Sequence, residues 1–154
     1  MAAEAGWLET ELDGVTLRAS GPETADADSG DLTLAALLGG VITNRPAVSR
    51  AAVIIDVTVQ GGTQASVDFN LEFKISGKYY QVQTFNTTPG GGILKRVMLP
   101  DNAGSEVLGD THFLPWPGVF RVSWVFNTPA ATPTITFSLE GIAWGLMNTK
   151  SMLQ

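Results

Sequence analysis

The clearest signal in the chain is strict alternation of apolar and polar positions. From Ser66 to Ile75, Val67, Phe69, Leu71, Phe73 and Ile75 take one face, and Ser66, Asp68, Asn70, Glu72 and Lys74 take the other. A period of two sustained this long is a strand with one wet side, because a helix returns apolar residues every three or four positions. The stretch VFRVSWVFNTPAATPTITFSL (119–139) shows the pattern twice. Phe120, Val122, Trp124 and Phe126 share a face, and Ile135, Phe137 and Leu139 share another, with a Pro/Thr/Ala loop between them. This predicts a β-hairpin with hydroxyls and Arg121 on its wet side. Val53, Ile55, Val57 and Val59 alternate in the same way before Gly61-Gly62 turns the chain. Ser76-Gly77-Lys78 is a tight turn into a strand over 79–85, and 93–99 is a further strand closed by Pro100-Asp101-Asn102. Past Gly141 the apolar set becomes Ile142, Trp144 and Leu146, which suggests a bend or bulge at the glycine.

The N-terminal part is less regular. Leu8 and Leu12 have helical spacing, but the stretch is too short to hold a helix alone. Residues 15–19 (VTLRA) read as a strand, 20–31 (SGPETADADSGD) as a loop, and 32–41 has no clear period. Seven or eight strands without a convincing helix predict an all-β fold: a two-sheet antiparallel β-sandwich, jelly-roll-like, with an extended N-terminal arm. The expected organisation is an acidic arm over 1–31, a sandwich domain over 32–147 and a tail over 148–154.

Composition sharpens this picture. A chain of 154 residues buries enough surface for one core without staples, and it has no cysteine, so disulfides, thiolate zinc sites and cysteine nucleophiles are excluded. The net charge of −6 disfavours nucleic acid and anionic membrane surfaces as partners. No basic-then-apolar leader and no apolar run near the roughly 20 residues of a membrane helix is visible. Residues 1–31 carry eight acids against Arg18 alone, whereas the rest of the chain carries seven acids and eight bases. Segregated charge of this kind, with Gly-Pro and Asp-rich runs, predicts an arm that does not fold by itself.

The chemistry-bearing residues are few. His112 is the only histidine, and no nucleophile-elbow motif accompanies it, so a surface or structural role outweighs catalysis. Asp26, Asp28 and Asp31 resemble a calcium loop faintly, but the positions that need Gly and a bidentate Glu hold Asp31 and Leu37. A solvated acidic loop is the simpler reading; loose Ca²⁺ binding or contact with a basic partner are the alternatives. The run Gly90–Gly92 precedes no helix and is a strand connection rather than a phosphate cradle. Asp56, Asp68, Glu72 and Glu140 are conceivable as a glycosidase pair. Cross-strand pairing with Lys74, Lys95, Arg96 or Arg121 explains them better. Tyr79, Tyr80, Trp116 and Trp144 are candidates for a sugar-stacking platform, against core or subunit-contact roles. Trp116, stiffened between two prolines in LPWPG, suits covering an end of the sandwich or packing on a neighbouring chain. No cofactor is expected.

Three passages carry a resemblance: AAVIIDVTVQGGTQASVDFNLEF (51–73), GKYYQVQTFN (77–86) and GVFRVSWVFNTPAATPTITFSLEG (118–141). They resemble small β-sandwich structural proteins of tailed bacteriophages, in which an aromatic-Val-Arg-Val-Ser-Trp strand is followed by a Gly/Thr/Ser/Pro loop and an FTFSV-like return. Phe120, Arg121, Val122, Ser123 and Trp124 match the first strand, and Thr136, Phe137 and Ser138 match the second. The acidic arm and the 100–117 segment depart from the pattern. The resemblance implies a non-enzymatic virion component, most readily a capsid decoration protein on the outside of the shell. It would be made in the host cytoplasm and bound to the major capsid protein and to itself as a homotrimer. A tail or baseplate subunit and a carbohydrate- or receptor-binding module are the other readings. Trp7, Leu8 and Leu12 in the arm, with Trp116, are the expected partner-binding residues. If the arm only attaches, its removal leaves the sandwich folded.

Overall fold

The structure is a computed structural model that describes residues 7–11, 14–33, 36, 47–61, 66–87, 95–99, 118–127 and 133–148, with side chains described over 14–33, 36, 51–61, 66–87, 118–127 and 133–144. In chain order the strands are β1 (Trp7–Glu11), β2 (Val15–Glu23), β3 (Ala27–Asp28), β4 (Leu32–Thr33) and β5 (Ala47–Gly61), followed by β6 (Ser66–Ile75), β7 (Lys78–Thr87), β8 (Lys95–Leu99), β9 (Val119–Asn127) and β10 (Thr134–Asn148). They form two antiparallel sheets. One has the order β1–β10–β5–β8, with β2 also paired to β10; the other has the order β3–β9–β6–β7, with β4 also paired to β9. Because β1 and β2 lie end to end along β10, and β3 and β4 lie end to end along β9, ten strands fill eight positions. Except at β6–β7, and within the end-to-end pairs β1–β2 and β3–β4, the chain changes sheet at each connection, which is the jelly-roll arrangement.

The core lies between the sheets. Val53, Ile55, Val57, Ile135, Phe137, Leu139 and Ala143 face inward from the β10 sheet, and Val67, Phe69, Leu71, Phe73, Val82, Phe120, Val122, Trp124 and Phe126 face inward from the β9 sheet. Phe137 is fully buried at its centre. Its ring meets Phe69 edge-on at 4.8 Å and Trp124 at 5.0 Å, so one side chain of the β10 sheet engages two from the other sheet.

Strand β7 follows β6 through Ser76-Gly77, with φ of 51° and 79°. Two successive left-handed residues make the primed turn whose twist matches a two-residue hairpin. The hairpin expected over 119–139 does not form. β9 pairs with β3, β4 and β6, whereas β10 pairs with β1, β2 and β5. Both strands have one apolar face, and these two faces meet across the core instead of lying side by side; a six-residue connection is long enough to change sheet. The alternation in β5 also ends early. The β5–β10 register slips between Val57 and Val59, and Val59 emerges 58% exposed. The phase change expected at Gly141 is absent, because Gly141 and Ala143 continue the buried series while Ile142 and Trp144 are half-buried on the other side.

The largest correction concerns the N-terminus. Trp7–Glu11 and Val15–Glu23 are extended, as expected of an arm, but they are paired along β10 between Asn148 and Ile135, and Ala27-Asp28 and Leu32-Thr33 are paired along β9. No break separates an arm ending at 31 from a sandwich beginning at 32. The sole base of this segment holds it in place. Opposite Ser138, β2 bulges between Arg18 and Gly21, and the Arg18 guanidinium folds back into the gap. There it donates to the carbonyls of Phe137 at 2.7 Å and Ala19 at 3.2 Å, and pairs with Glu23 at 2.5 Å. Its carbon lies 4.2 Å from the centre of the Phe137 ring and 5.5 Å from that of Trp124. The bulge frees carbonyls that the ladder no longer pairs, and Arg18 satisfies them while stacking its cation on the aromatic core.

These contacts set expectations for chemical denaturation. Phe137→Ala is expected to lose about 3–5 kcal/mol, whereas Thr136→Ala, on the outer face, is expected to stay within about 1 kcal/mol. Arg18→Ala is expected to lose about 2–3 kcal/mol through its charge-assisted hydrogen bonds. Deleting residues 1–28 removes β1, β2 and β3 and uncovers one side of β10. The truncated protein is therefore expected to be insoluble or to melt well below the full chain; equal melting temperatures would mean that the pairing contributes nothing.

Candidate functional site

The outer face of the β9 sheet carries the densest polar cluster among the described side chains. Alternation in β6 and β9 places Asp68, Asn70, Glu72 and Lys74 beside Arg121, Ser123 and Asn127, and β7 adds Tyr79, Gln81, Thr84 and Asn86. They form three groups along the strands. At one end Asp68 accepts from Asn86 at 2.5 Å and from Asn127 at 2.7 Å. In the middle Asn70, 9% exposed, accepts from Thr84 at 2.8 Å and donates to Ser123 at 3.4 Å, while Gln81 donates to Thr84 at 2.5 Å. At the other end the Arg121 Nε donates to Glu72 at 2.5 Å and its Nη1 to Asp28 at 3.1 Å. Its guanidinium carbon lies 3.6 Å from the centre of the Tyr79 ring. Lys74 pairs with Asp31 at 2.7 Å, and the Tyr79 hydroxyl donates to the same carboxylate.

This arrangement gives the DADSGD run a structural role. Asp26 accepts the backbone N–H of Phe126 at 2.8 Å, and Ser29 accepts the N–H of Val122 at 3.0 Å while donating its own N–H to the Val122 carbonyl at 2.9 Å. Asp28 accepts the N–H of Gly30 at 2.7 Å in addition to Arg121. Side chains thus complete the edge of β9 where β3 and β4, two residues each, leave gaps. The three aspartates diverge to separate donors, and among the described residues no group of three or more His, Asp or Glu side chains is placed to hold a metal ion. The three carboxylates stay exposed, as a solvated acidic loop requires, but each is also engaged by the chain's own donors, so the run acts as a clamp and its aspartates do not converge as a calcium loop's would. The clamp's acids come from the N-terminal segment and its bases from β6 and β9, 43 and 93 residues away. No local pattern in the sequence announces such a pairing.

The three described members of the candidate aromatic platform do not come together, and Trp116, the fourth, lies outside the described residues. Tyr79 and Tyr80 are neighbours on one strand and point to opposite sides, one face of Tyr79 is covered by Arg121, and Trp144 belongs to the other sheet. The four carboxylates are also divided. Asp68 and Glu72 lie on β6, four residues or about 13 Å apart along the strand. Asp56 and Glu140 lie on the outer side of the β10 sheet, with Arg96 opposite Asp56 in register. Cross-strand pairing accounts for Glu72 as expected, with Arg121 as its partner, whereas Lys74 pairs with Asp31 of the N-terminal segment and not with a strand carboxylate.

Of the expected partner-binding residues, Trp7 and Leu8 lie in β1, opposite Asn148 and Met147. Leu12 and Trp116, like His112, Gly90–Gly92 and the 100–117 segment, lie outside the described residues. β1 pairs with β10 from Trp144 to Asn148, past Ala143, the last core residue of that strand among the described side chains, and β5 flanks part of the same stretch from Ala47 to Arg50. Residues 144–146 of β10 therefore form the middle of a three-stranded extension of the β10 sheet, about 10 Å long at 3.3 Å per residue, and Met147 and Asn148 continue it paired with β1 alone. Compared with protein families and with curated proteins, the chain matches no family model and no curated relative.

The charged end of the face is sensitive to pH. Hydrogen bonds from Lys74 and Tyr79 hold the Asp31 carboxyl below its ordinary range, and the bond to Asp31 holds Lys74 above its own. Hydrogen bonding to Glu72 raises Arg121 further. Asp31 thus adds stability that is present above about pH 4 and lost as pH falls through its lowered folded value, whereas Lys74 adds stability that is lost only at strongly alkaline pH. A melting series from pH 6 to pH 2 is expected to show a shallower acid decline for Asp31→Asn than for the unmodified protein. Parallel curves would show that the clamp is electrostatically silent.

Proposed function

We propose that the protein is a structural component of a tailed-bacteriophage virion, a decoration protein bound outside the capsid shell and acting without catalysis. The observation that carries this reading is the state of the polar face. Its carboxylates, amides and cations are engaged with one another across β3, β6, β7 and β9, which suits a rigid, durable surface better than one that must exchange partners with a substrate. The jelly roll is compatible with this role, being common in viral capsid and lectin domains, although a fold alone never fixes a function. The resemblance of 51–73, 77–86 and 118–141 to phage sandwich proteins points the same way.

Attachment is assigned to the three-stranded extension rather than to a loose arm. Trp7 and Leu8 sit on a strand there, beside the end of β10, so that docking on the major capsid protein orders few new residues and loses little entropy. Copies associate as trimers, and many weak contacts summed over a shell resist dilution and internal pressure. The net charge of −6 leaves DNA contact unfavourable, and among the described residues no helix is long and apolar enough to cross a membrane.

Mixing purified protein with undecorated capsids and imaging the particles tests this reading. The expected result is regularly repeated density over the head, weakened by Trp7→Ala. Density confined to the tail tip, in a few copies, would instead make the protein a tail or baseplate subunit. No density on any part of the particle would remove the virion reading.

A further inference from the structure

The four sheet edges are not protected alike. The β1/β2 edge carries Glu9, Glu11, Arg18, Pro22 and Glu23 and has an interrupted register. The β3/β4 edge is broken into two-residue pieces with Asp28 and filled by the side chains of Asp26 and Ser29. β8 has five residues, two of them Lys95 and Arg96. Pro, charge, bulging and shortness are the usual devices that stop an edge from pairing with another chain. β7 largely lacks them. It runs for ten residues as KYYQVQTFNT, with no Pro and a single charge at its first position. Among the described residues β6 is the one strand paired with it, and Gln60 of β5 reaches the Thr87 carbonyl at its far end. Beside it Tyr80 is 44% and Ile75 49% exposed.

We propose that β7 pairs with β7 of a second copy of this chain, antiparallel across a two-fold axis, joining two β9-type sheets into one. The single irregularity in β7 supports this register. The bulge opposite Leu71 and Glu72 tucks Val82 inward and leaves two regular arms, Lys78–Gln81 and Gln83–Thr87. A two-fold axis between Val82 and Gln83 sets each arm against the other arm of the second copy, with Gln81 opposite Thr84 on the outer face and Tyr80 opposite Phe85 and Lys78 opposite Thr87 on the inner one, so that opposed residues share a face. No like charges meet, because the two Lys78 side chains fall about 30 Å apart, well beyond the screening length at physiological salt. The added strand covers Tyr80 and pairs the backbone groups of β7 that point away from β6. A two-fold contact of this kind links copies between trimers and not within one. It rests on edge composition and exposure alone, so it stands whether or not the protein belongs to a virion.

Hydrogen exchange of the full chain, measured by NMR or mass spectrometry at low-micromolar and near-millimolar concentration, tests the pairing. The β7 amides directed away from β6 are expected to slow about tenfold or more as concentration rises, with even-numbered species appearing in sedimentation. Tyr80→Lys, at an exposed position, and Gln81→Pro, which removes an edge donor, are expected to abolish both effects while the circular dichroism spectrum is retained. Exchange independent of concentration overturns the proposal. If it is fast, the edge stays open; if slow, the chain's own residues cover it. Association that survives Tyr80→Lys with β7 still rapidly exchanging also overturns it, by placing the contact elsewhere.

Discussion

The stack at Phe137 is the contact on which the rest of the structure depends. Its edge-on meetings with Phe69 and Trp124 tie the two sheets together at mid-core, and the Arg18 guanidinium closes the stack from the open side between β2 and β9. A cation at this place is stabilising because it is both stacked and hydrogen-bonded. Three of its neighbours are carbonyl oxygens and a fourth is the Glu23 carboxylate. Without it, the bulge in β2 would leave carbonyls partly buried and unmatched, a cost comparable to a lost hydrogen bond for each. Trp124 Nε1 is buried without a hydrogen-bond partner among the described residues, so part of the benefit of packing this ring is already offset. The stack thus links sequence to topology: one arginine in an otherwise acidic segment makes the N-terminus an edge strand of the β10 sheet.

The charge imbalance follows from the same logic. Asp26, Asp28 and Asp31 are drawn together because β3 and the turn after it lie over Arg121 and Lys74, and because carboxylates and hydroxyls can complete a strand edge that a two-residue bridge cannot. Each ion pair is partly exposed and individually worth little. Their value lies in position, since they fasten the one connection that carries the chain from the β10 sheet to the β9 sheet near its start.

What could be read from the sequence, and what could not, divides along physical lines. β6, β9 and most of β10 were legible because each is half-buried, so the pleat prints the environment directly onto the residue types. Val59 was misplaced because a bulge inserts one residue without changing the residue types, and side-chain phase inverts after a one-residue slip. The apparent phase change at Gly141 arose because Ile142 and Trp144 are large, whereas the residues that continue inward, Gly141 and Ala143, are small. The 119–139 hairpin was misassigned because alternation reports which face is buried and not which strand lies alongside. Residues 20–31 looked like a loop because Gly, Pro and Asp are turn residues by propensity, yet edge strands tolerate Pro, and fragments of two residues need little propensity at all. The clamp of Asp28 and Asp31 on Arg121 and Lys74 was invisible for a different reason: nothing in local spacing encodes a contact across 93 or 43 positions.

The N-terminal segment, where it is described, is part of the sandwich and not an appendage to it. Native-state hydrogen exchange of the isolated full-length chain tests this most directly, residue by residue over 15–23 and 27–33 against β5 and β10. Amides of β2 paired to β10 are expected to open only with the global unfolding of the sheet, and Arg18→Ala is expected to lower their protection together with that of β10. Random-coil exchange over 15–33, with β5 and β10 fully protected, would contradict this and return the segment to the status of a free arm.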